Sequence, residues 1–125
     1  WAKYLTVLVS GFVEECVEEI FSNYVDNCSN TKTASFVKSS IAGMRSNPNY
    51  EKLRKIVSRF DTNWANLLDE YSKQEGRQDA LNSVMNVRHA VAHGRDTGIT
   101  MSSLRSYFDK CTEILIFVEK QCEGA

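Results

Sequence analysis

Proline is nearly missing from this chain, one residue in 125, and glycine occurs only six times. With so few breaks, long uninterrupted helices are the natural outcome. No stretch alternates apolar and polar residues, which excludes a fold built on half-buried strands. No run of about 18 apolar residues occurs, which excludes a membrane-spanning helix. The opening residues do not read as a secretory leader, so none is expected, and the lack of a low-complexity tract argues against disorder. The formal net charge is only −1, so no global positive field draws nucleic acid and any such contact must come from a local patch. The four cysteines, Cys16, Cys28, Cys111 and Cys122, form no CxxC pair, which argues against a zinc ribbon. They read as free thiols of a reducing cytoplasm, the alternative being one structural disulfide in an exported protein.

The composition, 42% hydrophobic and 25% charged, is that of a soluble globular protein, and 125 residues suffice to bury most of the apolar surface of one domain. The chain opens at Trp1 inside an amphipathic pattern and without an initiator methionine, as expected of a domain trimmed from a longer protein.

Helical periodicity organises the whole sequence. Leu5, Leu8, Val9, Phe12, Val13, Cys16, Ile20 and Tyr24 make an apolar stripe over about 2–27, with Glu14, Glu15, Glu18 and Glu19 largely outside it. "DNCSNT" breaks the pattern. Thr31 or Thr33 is then expected to cap a short helix carrying Phe36, Val37, Ile41 and Met44. "RSNPNY" is a turn that places Pro48 near the first helical position of a third helix bearing Tyr50, Leu53, Ile56, Val57 and Phe60. Lys52, Lys55 and Arg59 form a cationic line on its other side. A fourth helix with Trp64, Leu67, Leu68 and Tyr71 ends near "KQEGRQ", and a fifth spans about Asp79 to His93 and stops at Gly94. After "GRDTGIT", Thr100 or Ser102 caps a last helix whose seam is Leu104, Phe108, Cys111, Leu115, Val118 and Cys122. The expectation is an all-α, antiparallel bundle of five to six helices filling residues 1–125 as a single domain.

One segment of the fifth helix stands out. "NVRHAVAHG", Asn86 to Gly94, holds both histidines of the chain and one arginine. On a wheel of about 100° per residue, Ala80, Leu81, Val84, Val87 and Val91 form the core face, and Arg88 falls inside that apolar arc. Asn82, Asn86, His89 and His93 share the far stripe, which carries amides and imidazoles in place of the Lys and Glu of an ordinary solvated face. The plain reading is that Arg88 extends its head past the helix edge while His93 complements the negative helix end. A metal site built on His89 and His93 is disfavoured, because only Asp96 offers a further ligand nearby.

Arg88-His89-Ala90-Val91-Ala92-His93 resembles the signature of the HEPN superfamily, an arginine followed by a polar residue and then, four to six positions on, a histidine. The position in a late helix, the following Gly94, the "NPNYEKLRKIVSRF" segment and the acidic first helix resemble the RiboL-PSP branch in particular. The resemblance implies a metal-independent, cofactor-free endoribonuclease of defence, toxin–antitoxin or stress systems. Its active site would be composite, formed where two protomers of a homodimer meet, with an antitoxin or inhibitor protein as a further partner. Arg88 and His93 would be catalytic, with His89 as the polar neighbour.

The chemistry suits those residue types. RNA carries its own nucleophile, the 2′-hydroxyl beside the scissile phosphate. A neutral imidazole can accept its proton, and a guanidinium can hold phosphate oxygens as charge develops on them. Cleavage would leave a 2′,3′-cyclic phosphate and a 5′-hydroxyl. Lys52, Lys55 and Arg59, with Arg95 and Asn86, are the expected contacts for RNA. The alternatives are a non-catalytic HEPN-type dimerisation or interaction module and an unrelated helical adaptor.

Overall fold

The computed structural model describes residues 1–43 and 47–124. Six α-helices follow one another: α1 Ala2–Cys28, α2 Thr31–Ala42, α3 Tyr50–Phe60, α4 Thr62–Lys73, α5 Arg77–Ala92 and α6 Met101–Glu123, with a 3-10 turn over Gln74–Gly76 between α4 and α5. The described residues contain no strand, and none of their helices is long and apolar enough to cross a membrane.

Short polar side chains set the boundaries. Asn30, not Thr31 or Thr33, caps α2, its side chain accepting the Thr33 N–H at 2.9 Å. Asn49 caps α3 through the Lys52 N–H at 2.9 Å, so Pro48 lies one residue ahead of the cap rather than at the first helical position. Asp61 serves two helices: its N–H closes the end of α3, and its carboxylate accepts from Asn63 and Trp64 at the start of α4. Thr100 and Ser103 form a reciprocal capping box on α6, which decides between Thr100 and Ser102. Glu75 and Gly76 turn the chain through left-handed backbone, φ 56° and 70°, so α5 starts at Arg77, ahead of the expected Asp79. Met44, expected on α2, lies outside the described residues.

The core draws on five helices: Val13, Val17 and Phe21 of α1, Leu53, Ile56 and Val57 of α3, Leu68 of α4, Leu81, Val84 and Met85 of α5, and Ile114 and Val118 of α6. α5 runs antiparallel to α1, as the pairing of Arg88 with Glu14 and of Asp96 with Lys3 requires. α1 and α6 run side by side in the same direction, Phe12 meeting Phe108 with ring centroids 5.8 Å apart.

On α1 the buried face is rotated from the expected stripe. Thr6 and Ser10 are fully buried while Leu8 and Phe12 are 54% and 47% exposed. The polar pair can go inside because each hydroxyl folds back onto its own helix, Thr6 to the Ala2 carbonyl and Ser10 to the Val7 carbonyl. Leu8, Phe12, Tyr4, Met101 and Phe108 are thereby left as an exposed apolar strip along α1 and α6. Phe36 and Leu67, also expected inside, are exposed as well.

Two polar joints brace the bundle. Asp69 of α4 accepts the Tyr50 hydroxyl and, at 3.0 and 2.8 Å, both bonds of the Arg54 Nε–H, which locks α3 to α4. Burial pulls the Asp69 carboxyl upward, but the hydrogen bonds from Tyr50 and Arg54 and the Arg54 charge outweigh it and leave the pKa below the ordinary range. A carboxylate depressed in the folded state stabilises above its unfolded pKa, about 3.9, and loses that contribution as pH falls through the folded value. Acid unfolding followed by circular dichroism should therefore steepen below about pH 4, and Asp69→Asn should flatten that limb. An identical acid limb in the variant would remove Asp69 from this role.

All four cysteines are free thiols. Burial pushes Cys111 up to about 12 and Cys122 up to about 11, whereas Cys28 is exposed. Iodoacetamide at about pH 8 should alkylate Cys28 first and reach Cys111 only after unfolding. Modification of Cys111 in the native protein, read by mass spectrometry, would contradict its burial.

Candidate active site

The last turn of α5 carries the arginine–histidine segment. α5 ends in a Schellman closure: Gly94, φ 69°, lets its own N–H reach the Val91 carbonyl at 3.0 Å and the Arg95 N–H reach the Ala90 carbonyl at 2.8 Å. A side chain at position 94 would strain that left-handed backbone. The closure fixes His93 as the helix cap residue, its N–H on the His89 and Ala90 carbonyls, with the side chain exposed.

His89 and His93 meet edge to face on the surface, ring centroids 4.4 Å apart. This is the geometry that residues four apart on a helix provide. Among the described residues no three metal-ligating side chains converge, here or elsewhere.

Arg88 leaves the same helix on another side. Its Nη1 donates to Glu14 Oε2 of α1 at 2.9 Å, and both side chains are about a third exposed, 35% and 29%. Among the described residues no hydrogen bond links Arg88 to either histidine. Five residues at about 100° each separate Arg88 and His93 by about 140° around the axis. The structure thus brings the two imidazoles together and pairs the guanidinium with a carboxylate of α1.

The turn before α3 belongs to the same region. The Asn47 N–H donates to Glu14 Oε2 at 3.5 Å, and the Tyr50 N–H donates to Asn82 Oδ1 of α5 at 2.9 Å. Asn82, read from the sequence as part of a polar stripe, therefore supports the first turn of α3. Glu14 was not distinguishable from its three acidic neighbours in sequence, because only the three-dimensional packing of α1 on α5 turns it inward.

Of the expected RNA contacts, Asn86 and Arg95 are exposed beside the motif. Lys52 is half-buried in the first turn of α3, and Lys55 and Arg59 are exposed further along it. The line runs away from the motif, toward the end where Phe60 packs on Phe21 and Tyr24. Arg59 also sits in the last turn of α3, where a cation suits the helix dipole.

A helical bundle whose penultimate helix ends in an arginine, a polar neighbour and a histidine has the makings of a HEPN domain. Residues 1–124 match the RiboL-PSP-HEPN family model, and the chain belongs to that family. Neither the curated proteins nor the solved structures give a match.

Proposed function

We propose that this chain is a single, metal-independent endoribonuclease domain that works as a homodimer, with Arg88 of one copy and His93 of the other at each cleavage site. The observation that carries the reading is the division of the motif: Arg88 is anchored on Glu14 through Nη1, its one hydrogen bond among the described residues, and His93 is exposed on the far side of the same helix end. The two groups leave the helix about 140° apart, and a two-fold axis can pair the arginine of one protomer with the histidine of its partner. The apolar strip of Tyr4, Leu8, Phe12, Met101 and Phe108 suits such an association. It begins where the loop after His93 delivers the chain to Met101.

In this reading His93 accepts the 2′-hydroxyl proton, and the 2′-oxygen attacks the adjacent phosphorus. Arg88 holds the phosphate oxygens as charge grows on them. The bond to the 5′-oxygen breaks, and that oxygen takes the proton back from the His93 imidazolium, which returns the ring to its neutral form. The products are a 2′,3′-cyclic phosphate and a 5′-hydroxyl. His89, edge-on to His93, orients the base. Asn86, Arg95, Lys52, Lys55 and Arg59 contact RNA. A role in defence or as a cytoplasmic toxin held by an inhibitor protein fits such an activity.

The second reading, a non-catalytic HEPN-type interaction module, draws support from the Glu14 pairing, which offsets the charge of Arg88. Incubation of the purified protein with unstructured RNA in EDTA separates the two. The nuclease yields fragments ending in cyclic phosphate, and intact RNA over a range of pH and protein concentration favours the interaction module.

A further inference from the structure

Four glutamates lie close together on α1, and Glu14 is the one that reaches Arg88 of α5. Glu15 and Glu19 are exposed, whereas Glu14 is mostly shielded and holds Arg88 at 2.9 Å. The same Oε2 also accepts the Asn47 N–H at 3.5 Å. Asn47 stands in left-handed backbone, φ 51°, in the turn that runs through buried Pro48 to the Asn49 cap. That turn is stitched to α5 a second time, by the Tyr50 N–H on Asn82. Glu14 therefore meets two elements: its carboxylate holds Arg88 of α5 and lies within a long hydrogen bond of the 47–50 turn.

A guanidinium presents five N–H donors in a rigid plane. The contact with Glu14 is made through Nη1 alone, and among the described residues the other donors have no partner, which leaves them for a phosphate. From this we infer that Glu14 is a positioning residue for Arg88, fixing the plane and direction of the guanidinium, and that the Asn47 turn in turn fixes Glu14. The inference rests on the ribonuclease reading above.

The carboxylate has two opposing effects, and they separate in kinetics. Its negative charge weakens ground-state attraction between the site and RNA, while its hydrogen bond holds Arg88 in the orientation the transition state needs. Glu14→Gln keeps an acceptor and removes the charge, so KM should fall with kcat within a few-fold of wild type. Glu14→Ala frees the guanidinium, and kcat should drop about 10- to 100-fold with KM no higher than in wild type. In an Arg88→Ala background the Glu14→Ala change should add no further loss.

These values are measured on a short RNA oligonucleotide with the full chain, alongside the thermal midpoint of each variant. A kcat for Glu14→Ala equal to or above wild type would overturn the inference, marking Glu14 as a bystander or a competitor for Arg88. A further loss in the Arg88→Ala background would also overturn it, because Glu14 would then act by another route. If wild type cleaves no RNA, the ribonuclease reading fails, and the hold on Arg88 is read by NMR. Slow guanidinium rotation in wild type that becomes fast in Glu14→Ala supports the hold, and fast rotation in both refutes it.

Discussion

Arg88→Ala and His93→Ala are each expected to lower RNA cleavage about 10²- to 10³-fold, the usual cost of removing a transition-state donor or a general base. Neither change should unfold the domain. His93 caps α5 through its backbone N–H, which alanine retains, and its side chain is exposed. Arg88 makes one partly solvated ion pair, and the loss of such a pair costs about 1 kcal/mol or less. The Glu14 carboxylate left behind keeps water access and the Asn47 N–H. Activity lost with the circular dichroism spectrum and melting midpoint nearly unchanged is the expected pattern. Cleavage unaffected by both substitutions would remove these residues from the chemistry.

The other arginine of α5 should behave in the opposite way. Arg77 is buried, and every part of its guanidinium is used. Nε donates to Glu113 at 2.9 Å, Nη1 to the Tyr71 and Gln74 carbonyls at 3.1 and 3.4 Å, and Nη2 to Glu75 at 3.3 Å. Its plane lies 3.9 Å over the Tyr71 ring, which in turn stacks on Phe117 at 4.4 Å. α4, α5 and α6 are joined at this point. Arg77→Ala takes the arginine from the Glu113 carboxylate and removes the second donor of the Tyr71 and Gln74 carbonyls, which keep the Gln74 and Arg77 backbone N–H groups; the loss is about 3 kcal/mol, the lower end for a broken buried pair, since Glu113 retains some solvent. For a domain of this size the melting midpoint should fall by roughly 10 °C. Arg77→Lys should recover less than half of the loss, because a lysine offers neither the planar fork nor the stacking face. A melting midpoint within about 2 °C of wild type for Arg77→Ala would refute this structural role.

The comparison of these two arginines shows what the sequence could and could not convey. Arg88 drew notice because it interrupts an apolar arc and precedes a histidine at a telling distance. Arg77 sits in the polar break "KQEGRQ", and nothing local distinguishes it from a loop residue. Its partners come from three elements, and Glu113 is 36 positions away. Glu14 was hidden for the same reason, being 74 positions from Arg88.

Helix count and order were legible because breaks coincide with Pro48, Gly94 and clusters of short polar residues, which act locally. The α1 core face was misjudged because Thr6 and Ser10 satisfy their hydroxyls on their own helix, a saving that no hydropathy pattern registers. Cap choices between neighbours, such as Asn30 against Thr31, turn on backbone geometry that the residue types share.

The most direct measurement mixes two inactive proteins. Arg88→Ala retains His93, and His93→Ala retains Arg88. If each site takes its arginine from one copy and its histidine from the other, a mixed dimer contains one complete site. After unfolding and refolding together in equal amounts, half of the dimers are mixed, and about a quarter of wild-type cleavage should return. Recovery of that order supports a site shared between protomers. A mixture as inactive as its components, with mixed dimers shown to form by native mass spectrometry, would contradict it.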